Sequence, residues 1–113
     1  MGRYNGWANY ETWAVNLWLT NKQGVHEYWR LLARVTWKHF RARDFLSRKE
    51  VAVFHLSAQL QGTVMQNKCV HCRGAGLYID LLDAALSKVD WYELAWALLE
   101  EFAEKEEAEQ GDE

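Results

Sequence analysis

The sequence predicts an all-α fold, a compact bundle or orthogonal array of about five helices. Three observations point there. Apolar residues recur every third or fourth position through most of the chain, which is the helical period. Only Val51-Ala52-Val53-Phe54 could be misread as a strand. Patterns that cap helix starts stand before three of the periodic stretches, at Asn9, Ser47 and Asp90. The 113 residues include no proline to break a helix, and seven tryptophans stand among the aromatic side chains. A chain so rich in aromatics is not disordered, and its length suits one domain with one core. That domain is expected over 1–108, with an acidic disordered tail at 109–113.

The elements follow in order. Asn5-Gly6 is a turn signal, and Asn9 can cap a helix by accepting a free first-turn amide hydrogen. The first helix is expected to run to Thr20 and to stop within Asn21–Gly24. Tyr10, Trp13, Ala14, Leu17 and Trp18 share one face; Val15 and Leu19 lie opposite; Thr12, Asn16 and Thr20 form the only polar stripe. A helix apolar on most sides is central in its core or covered by a partner. The second helix is expected over Val25–Arg41, with Val25, Tyr28, Trp29, Leu32, Val35, Thr36, His39 and Phe40 inward. Arg30, Arg34, Lys38 and Arg41 fall within about 80° of each other on its outer face, at the helical 100° per residue. Trp37 sits at the edge of that basic stripe.

Ser47 and Glu50 have the spacing of a capping box, in which each side chain satisfies the other's free backbone amide. The helix behind them spans Arg48–Gln66, with Val51, Phe54, Ala58 and Val64 among its apolar positions. Asn67–Gly76 reads as a loop, and it carries both cysteines. A fourth helix covers Leu77–Lys88. Asp90 and Glu93 repeat the capping-box spacing before a fifth, which buries Trp91, Leu94, Ala95, Leu98, Leu99 and Phe102. Glu93, Glu100, Glu104 and Glu107 face away from that core, and fraying is expected beyond Ala108.

The formal charge of −3 conceals a polarity. Residues 1–79 hold eleven Lys/Arg against four Asp/Glu, a balance of +7; residues 80–113 hold two against twelve, a balance of −10. Such asymmetry raises nucleic acid as a partner of the basic part. The plainer expectation is that the acidic end lies near the basic middle and neutralises it.

Tyr4-Asn5-Gly6-Trp7-Ala8-Asn9-Tyr10-Glu11-Thr12-Trp13-Ala14-Val15, followed by Leu17-Trp18, resembles a family of small proteins encoded by bacteriophages, plasmids and other mobile elements. Gly76 to Leu94, with Asp80-Leu81-Leu82, Ala85-Leu86 and Val89-Asp90-Trp91-Tyr92-Glu93, is similar to a second block of that family. The family carries no assigned activity; the resemblance implies a genetic context inside a prokaryotic cell. The cysteine loop is not part of its pattern.

Cys69-Val70-His71-Cys72 is the one motif with chemical character. Two thiolates three positions apart are half of a tetrahedral zinc site, with His71 as a third ligand, but no second ligand pair follows. Reduced, structurally silent cysteines are the plainer reading, and a redox pair lacks its usual βαβ setting. His39 reads as a satisfied core histidine rather than a ligand. No nucleophile triad, phosphate loop or metalloprotease motif is present. No enzyme and no cofactor are therefore expected. No apolar run approaches the roughly 20 residues that span a bilayer, and no leader is visible. A cytoplasmic protein without a membrane partner is expected.

The leading functional expectation is a non-catalytic phage or mobile-element protein that binds a host protein complex and modulates or inhibits it. Anti-CRISPR and anti-restriction proteins are of this anti-defence type. Trp13, Trp29 and Trp91 are core candidates by phase, and Trp7 can staple the start of the first helix. Trp18, Trp37 and Trp96 lie toward helix edges, where aromatic anchors serve interfaces. With Leu19 they are the expected contact residues. Glu93, Glu100, Glu104 and Glu107 join them as a row that could imitate phosphates, against the plainer reading of a solvated face. The alternative is a nucleic-acid-binding accessory protein using Arg30, Arg34, Lys38 and Arg41, with Arg43, Arg48 and Lys49 nearby. A small zinc module on Cys69, Cys72 and His71 is the second alternative. A homodimer is also expected, or a monomer that offers the same patch to its target. In either case Val15 and Leu19, or Trp18, stay partly exposed in the lone chain.

Overall fold

A computed structural model describes residues 3–66 and 76–111, with side chains as far as Glu106. Five helices make up the fold: α1 Tyr10–Asn21, α2 Gln23–His39, α3 Arg48–Gln66, α4 Leu77–Ser87 and α5 Trp91–Gly111. Among the described residues there is no strand; two isolated bridges, Tyr4 to Trp7 and Arg43 to Leu46, close tight turns. At the first turn Asn5 and Gly6 both take positive φ, 47° and 87°, which is the type I′ geometry that asparagine-glycine favours. Tyr4 and Trp7 exchange both backbone hydrogen bonds across it at 2.8 Å.

The helix limits follow local chemistry. The stop between the first two helices narrows to one extended residue, Lys22. Ser47 and Glu50 form the expected reciprocal box: the Glu50 amide donates to Ser47 Oγ at 3.1 Å, and the Ser47 amide to Glu50 Oε1 at 3.3 Å. α5 continues to Gly111, past the fraying expected at Ala108.

α3 and α5 form the central pair. α2 packs against both, and α1 lies on α2 and touches α5. Leu56 and Leu60 of α3 meet Leu94 and Leu99 of α5 in the fully buried centre. Each such leucine contributes about 1.5–3 kcal/mol through burial. Ala33, Ala52 and Ala95 have no exposure at all; their small side chains let three helix backbones approach closely. Val89 and Ile79 are buried at the α4 end of the fold.

Several inward faces differ from those the period suggests. In α2 the buried row is Trp29, Ala33, Thr36 and Trp37, while Val25, Tyr28, Val35 and His39 are exposed. The helix is rotated so that Trp37, not His39, enters the core; the Arg48 guanidinium lies 4.5 Å above its ring and binds the backbone carbonyl of Trp37. His39 instead makes an edge contact with Phe40. In α3, Phe54 and Ala58 are exposed, and Ala52, Val53 and Leu56 take the inner positions.

α1 shows the largest reversal. Its supposed polar stripe supplies the fully buried Thr12, and Leu19 is only 7% exposed. The reason is hydrogen bonding to the start of α5. Asn9 Oδ1 accepts from the Thr12 amide at 2.9 Å and from the Thr12 hydroxyl at 2.7 Å. The Thr12 oxygen in turn accepts the Asp90 amide at 2.9 Å. Asn9 Nδ2 donates to the Lys88 carbonyl at 2.6 Å. Glu93 donates its amide to Asp90 Oδ1 at 3.0 Å, as a capping box requires. The Glu93 carboxylate does not return to the Asp90 amide. It accepts the Ala8 amide at 2.7 Å and pairs with Arg3. The box is completed across the chain, with Thr12 taking the donor that glutamate leaves free.

Thr12→Val keeps the volume and removes the hydroxyl. It leaves a part-buried Asp90 amide unpaired, so urea unfolding should show a loss of about 1–3 kcal/mol. Thr12→Ser keeps the oxygen and should retain more stability than the valine variant; equal losses in both would show that the hydroxyl contributes nothing.

Candidate functional site

The docking of Thr12 and Leu19 inward leaves the opposite side of α1 outward. Tyr10, Leu17 and Trp18 are exposed there, and Trp18 reaches 66%. Tyr10 and Leu17 are seven residues apart and so share a face, and the stripe from Tyr10 to Trp18 runs about 12 Å along the helix. The type I′ turn adds Tyr4 at its N-terminal end. Its ring meets Tyr10 at 5.2 Å and Trp13 at 5.1 Å, both edge-on, while Tyr10 and Trp13 are 5.6 Å apart. The outcome is an aromatic cluster of Tyr4, Tyr10 and Trp13, with the exposed Leu17 and Trp18 following it along α1. Of the two patches the sequence left open on this helix, the one with Trp18 stays exposed; Val15 and Leu19 pack on the core.

The remaining expected contact residues are differently placed. Leu19 and Trp37 are buried and belong to the core. Trp96 is partly exposed, with the Lys49 ammonium 3.8 Å above its ring. These two tryptophans, Arg48, Lys49 and three glutamates of α5 line a cleft of about 530 Å³.

The acidic row of α5 is not a free array of negative charge. Glu93 is held by Ala8 and Arg3, and Glu100 pairs with Lys49. Glu106 accepts from Arg48 at 2.7 Å. Glu101 takes a two-pronged bond from Arg30 at 2.8 and 2.9 Å. Glu104 is exposed without an ion pair among the described residues, and the Glu107 side chain lies outside them. Four of the twelve carboxylates of residues 80–113 are thus paired with cations of residues 1–79, three of them because α5 lies along the basic edges of α2 and α3. The hydrogen bond from Arg30 holds the Glu101 carboxyl below its ordinary range; partial burial opposes this, and the charges of Arg30, Lys105 and His26 assist it.

The same pairing divides the basic face of α2. Arg30 is neutralised. Arg34 and Lys38 make no ion pair among the described residues, and Arg41 donates to the carbonyls of Lys38 and Phe40 at the end of the helix. Just beyond stands a residue that the sequence reading passed over. Phe45, on the tight turn between Arg43 and Leu46, is 103% exposed. The signal was a phenylalanine in a short basic link outside any helical period.

Cys69, His71 and Cys72 lie outside the described residues. Among the described residues, no three His, Cys, Asp or Glu side chains gather closely enough to hold a metal ion, and no helix is long and apolar enough to cross a membrane. The model of a family of unknown function, DUF7249, matches residues 1–52. That stretch takes in the first turn, α1, α2, the Phe45 turn and the start of α3. No curated protein and no solved structure matches the chain.

The Arg30–Glu101 pair carries a pH dependence of definite sign. Because the folded carboxyl is depressed, its contribution to stability is complete above the ordinary value of 4.5 and is lost as pH falls through the lower folded value. Glu101→Gln removes that contribution at neutral pH. The stability gap between wild type and variant should therefore narrow steadily as pH is lowered, measured by urea midpoints; a constant gap would contradict the pairing.

Proposed function

We propose that this chain is a non-catalytic binding protein of a phage or mobile genetic element. It acts in the host cytoplasm by docking on a host protein complex and modulating or inhibiting it, in the manner of anti-defence proteins. The observation that carries this reading is the aromatic stripe of α1, with Trp18 at its end. Water is a poor neighbour for such a surface, and contiguous apolar patches of this kind mark interaction sites. Tryptophan and tyrosine are also the side chains on which binding energy concentrates.

The genetic context rests on the resemblance carried by Tyr4 to Trp13, a motif inside the stretch matched by the family model. The contact set is Tyr4, Tyr10, Leu17 and Trp18. Imitation of a phosphate row is not part of the proposal, since Glu93, Glu100, Glu101 and Glu106 are spent on internal pairs. A second copy of the chain is the other occupant this stripe would suit.

The deciding variant is Trp18→Ser. The side chain is mostly exposed, so the unfolding midpoint should stay within about 0.5 kcal/mol of wild type. Affinity for the captured host complex should fall by about 2 kcal/mol, roughly thirtyfold. Light scattering separates the occupants: a species of twice 13.3 kDa that reverts to monomer in the variant assigns the stripe to self-association. A monomer that retains no host protein would overturn the proposal.

A further inference from the structure

We propose that the outward face of α2 and the turn behind it form a track for single-stranded nucleic acid. Arg34, Lys38 and Arg41 would lie against successive phosphates, and Phe45 would serve as the platform on which a base stacks. This is independent of the α1 stripe and of the host target proposed for it.

The first argument is the residual charge. Once internal pairs are counted, Arg30, Arg48 and Lys49 are occupied by Glu101, Glu106 and Glu100. Arg34 and Lys38 keep their charge, and Arg41 spends hydrogen bonds only on neutral carbonyls. Arg34 and Lys38 stand four residues, about 6 Å, apart on the exposed side of the helix, and Arg41 follows in the non-helical chain just past the end of α2 at His39. The line they make ends at the turn that bears Arg43 and Phe45.

The second argument is shape. The basic strip is one helix wide. On the α5 side it is bounded by the Arg30–Glu101 pair, so attraction is confined to a line. A single strand presents its charges as a line; a duplex or a bilayer presents a broad surface that would also meet the acidic edge. Near the other end of the line is a depression of about 270 Å³ lined by three cations, Arg30, Arg34 and Lys105, one carboxylate, Glu27, and the apolar Leu31 and Phe102. That excess of cations beside apolar side chains suits a base on Leu31 and Phe102 with its phosphate against Arg34.

The third argument is Phe45 itself. A phenylalanine with its whole ring in water contributes nothing to the fold, and a backbone turn with Asp44 at φ 55° holds it out. Unpaired bases stack on such rings whatever their sequence, and interleaved cations hold the backbone.

The test is fluorescence anisotropy of a labelled oligothymidylate with the full chain at several salt concentrations. Binding is expected at low salt. The logarithm of the affinity should fall with the logarithm of salt at a slope of about −2, as three phosphate contacts on a single strand require. Arg34→Glu with Lys38→Glu should abolish binding. Phe45→Ala should weaken it about tenfold with the slope unchanged. Trp18→Ser should leave it intact, which separates this surface from the α1 stripe. Circular dichroism of each variant guards against unfolding; all four side chains are exposed. No anisotropy change at low salt, or equal binding by the charge-reversed variant, would overturn the proposal. So would binding to phosphatidylserine vesicles in the absence of any oligonucleotide binding.

Discussion

The starts of α1 and α5 satisfy each other, and most of the surface follows from that exchange. Every helix begins with amide hydrogens that its own turns cannot use. Here Asn9 caps α1 and Asp90 caps α5, but each cap leaves a donor unmatched. Thr12 accepts the Asp90 amide and Glu93 accepts the Ala8 amide, across separations of 78 and 85 residues. Among the described residues no buried side-chain polar atom is left without a partner. Because Thr12 must point at α5, Leu19 seven residues on points inward too, and Tyr10, Leu17 and Trp18 are turned to solvent.

Charge is organised around the same helix. α5 supplies carboxylates to Arg3 from the N-terminal turn, Arg30 from α2, and Arg48 and Lys49 from α3. The pairs of Arg3 and Arg30, whose side chains are about half exposed, contribute little individually, since water screens them. Their larger effect is on what remains. Cancelling the acidic edge against one side of the basic region leaves Arg34, Lys38 and Arg41 as a narrow strip, where the sequence alone shows a broad polarity of +7 and −10.

Two tryptophans show how one pattern serves different ends. Trp37 is buried beneath the Arg48 guanidinium, which also binds carbonyls at the end of α2 and so ties α3 to it. Trp96 is half open beneath Lys49. In both, a cation covers an aromatic face, and this uses up surface that a partner would otherwise meet. Among the described residues no cation covers Trp18, which is why it stands apart from the other edge tryptophans.

The sequence by itself determined what depends on a turn or two of chain. The five helices, the Asn5-Gly6 turn, the Asn9 cap and the Ser47–Glu50 box all appear, because each rests on hydrogen bonds between residues three or four positions apart. The leucines and alanines of α5 were legible for a related reason: Leu94, Ala95 and Leu99 repeat with a single clear period. Tertiary structure decided which way ambiguous helices turn. α1 is apolar almost all round, so its period prefers no face, and the choice fell to a hydroxyl bond between Thr12 and a distant amide. In α2 both His39 and Trp37 fit plausible stripes, and the approach of Arg48 settled the rotation. Glu93, Glu100 and Glu104 share a helix face in any reading. Whether a glutamate there is free or paired depends on which basic helix lies beside it, and helical periodicity holds no information about neighbours. Phe45 was invisible for the same reason in reverse: an aromatic residue outside any period is read as buried or incidental until the surrounding chain is seen to leave it in water.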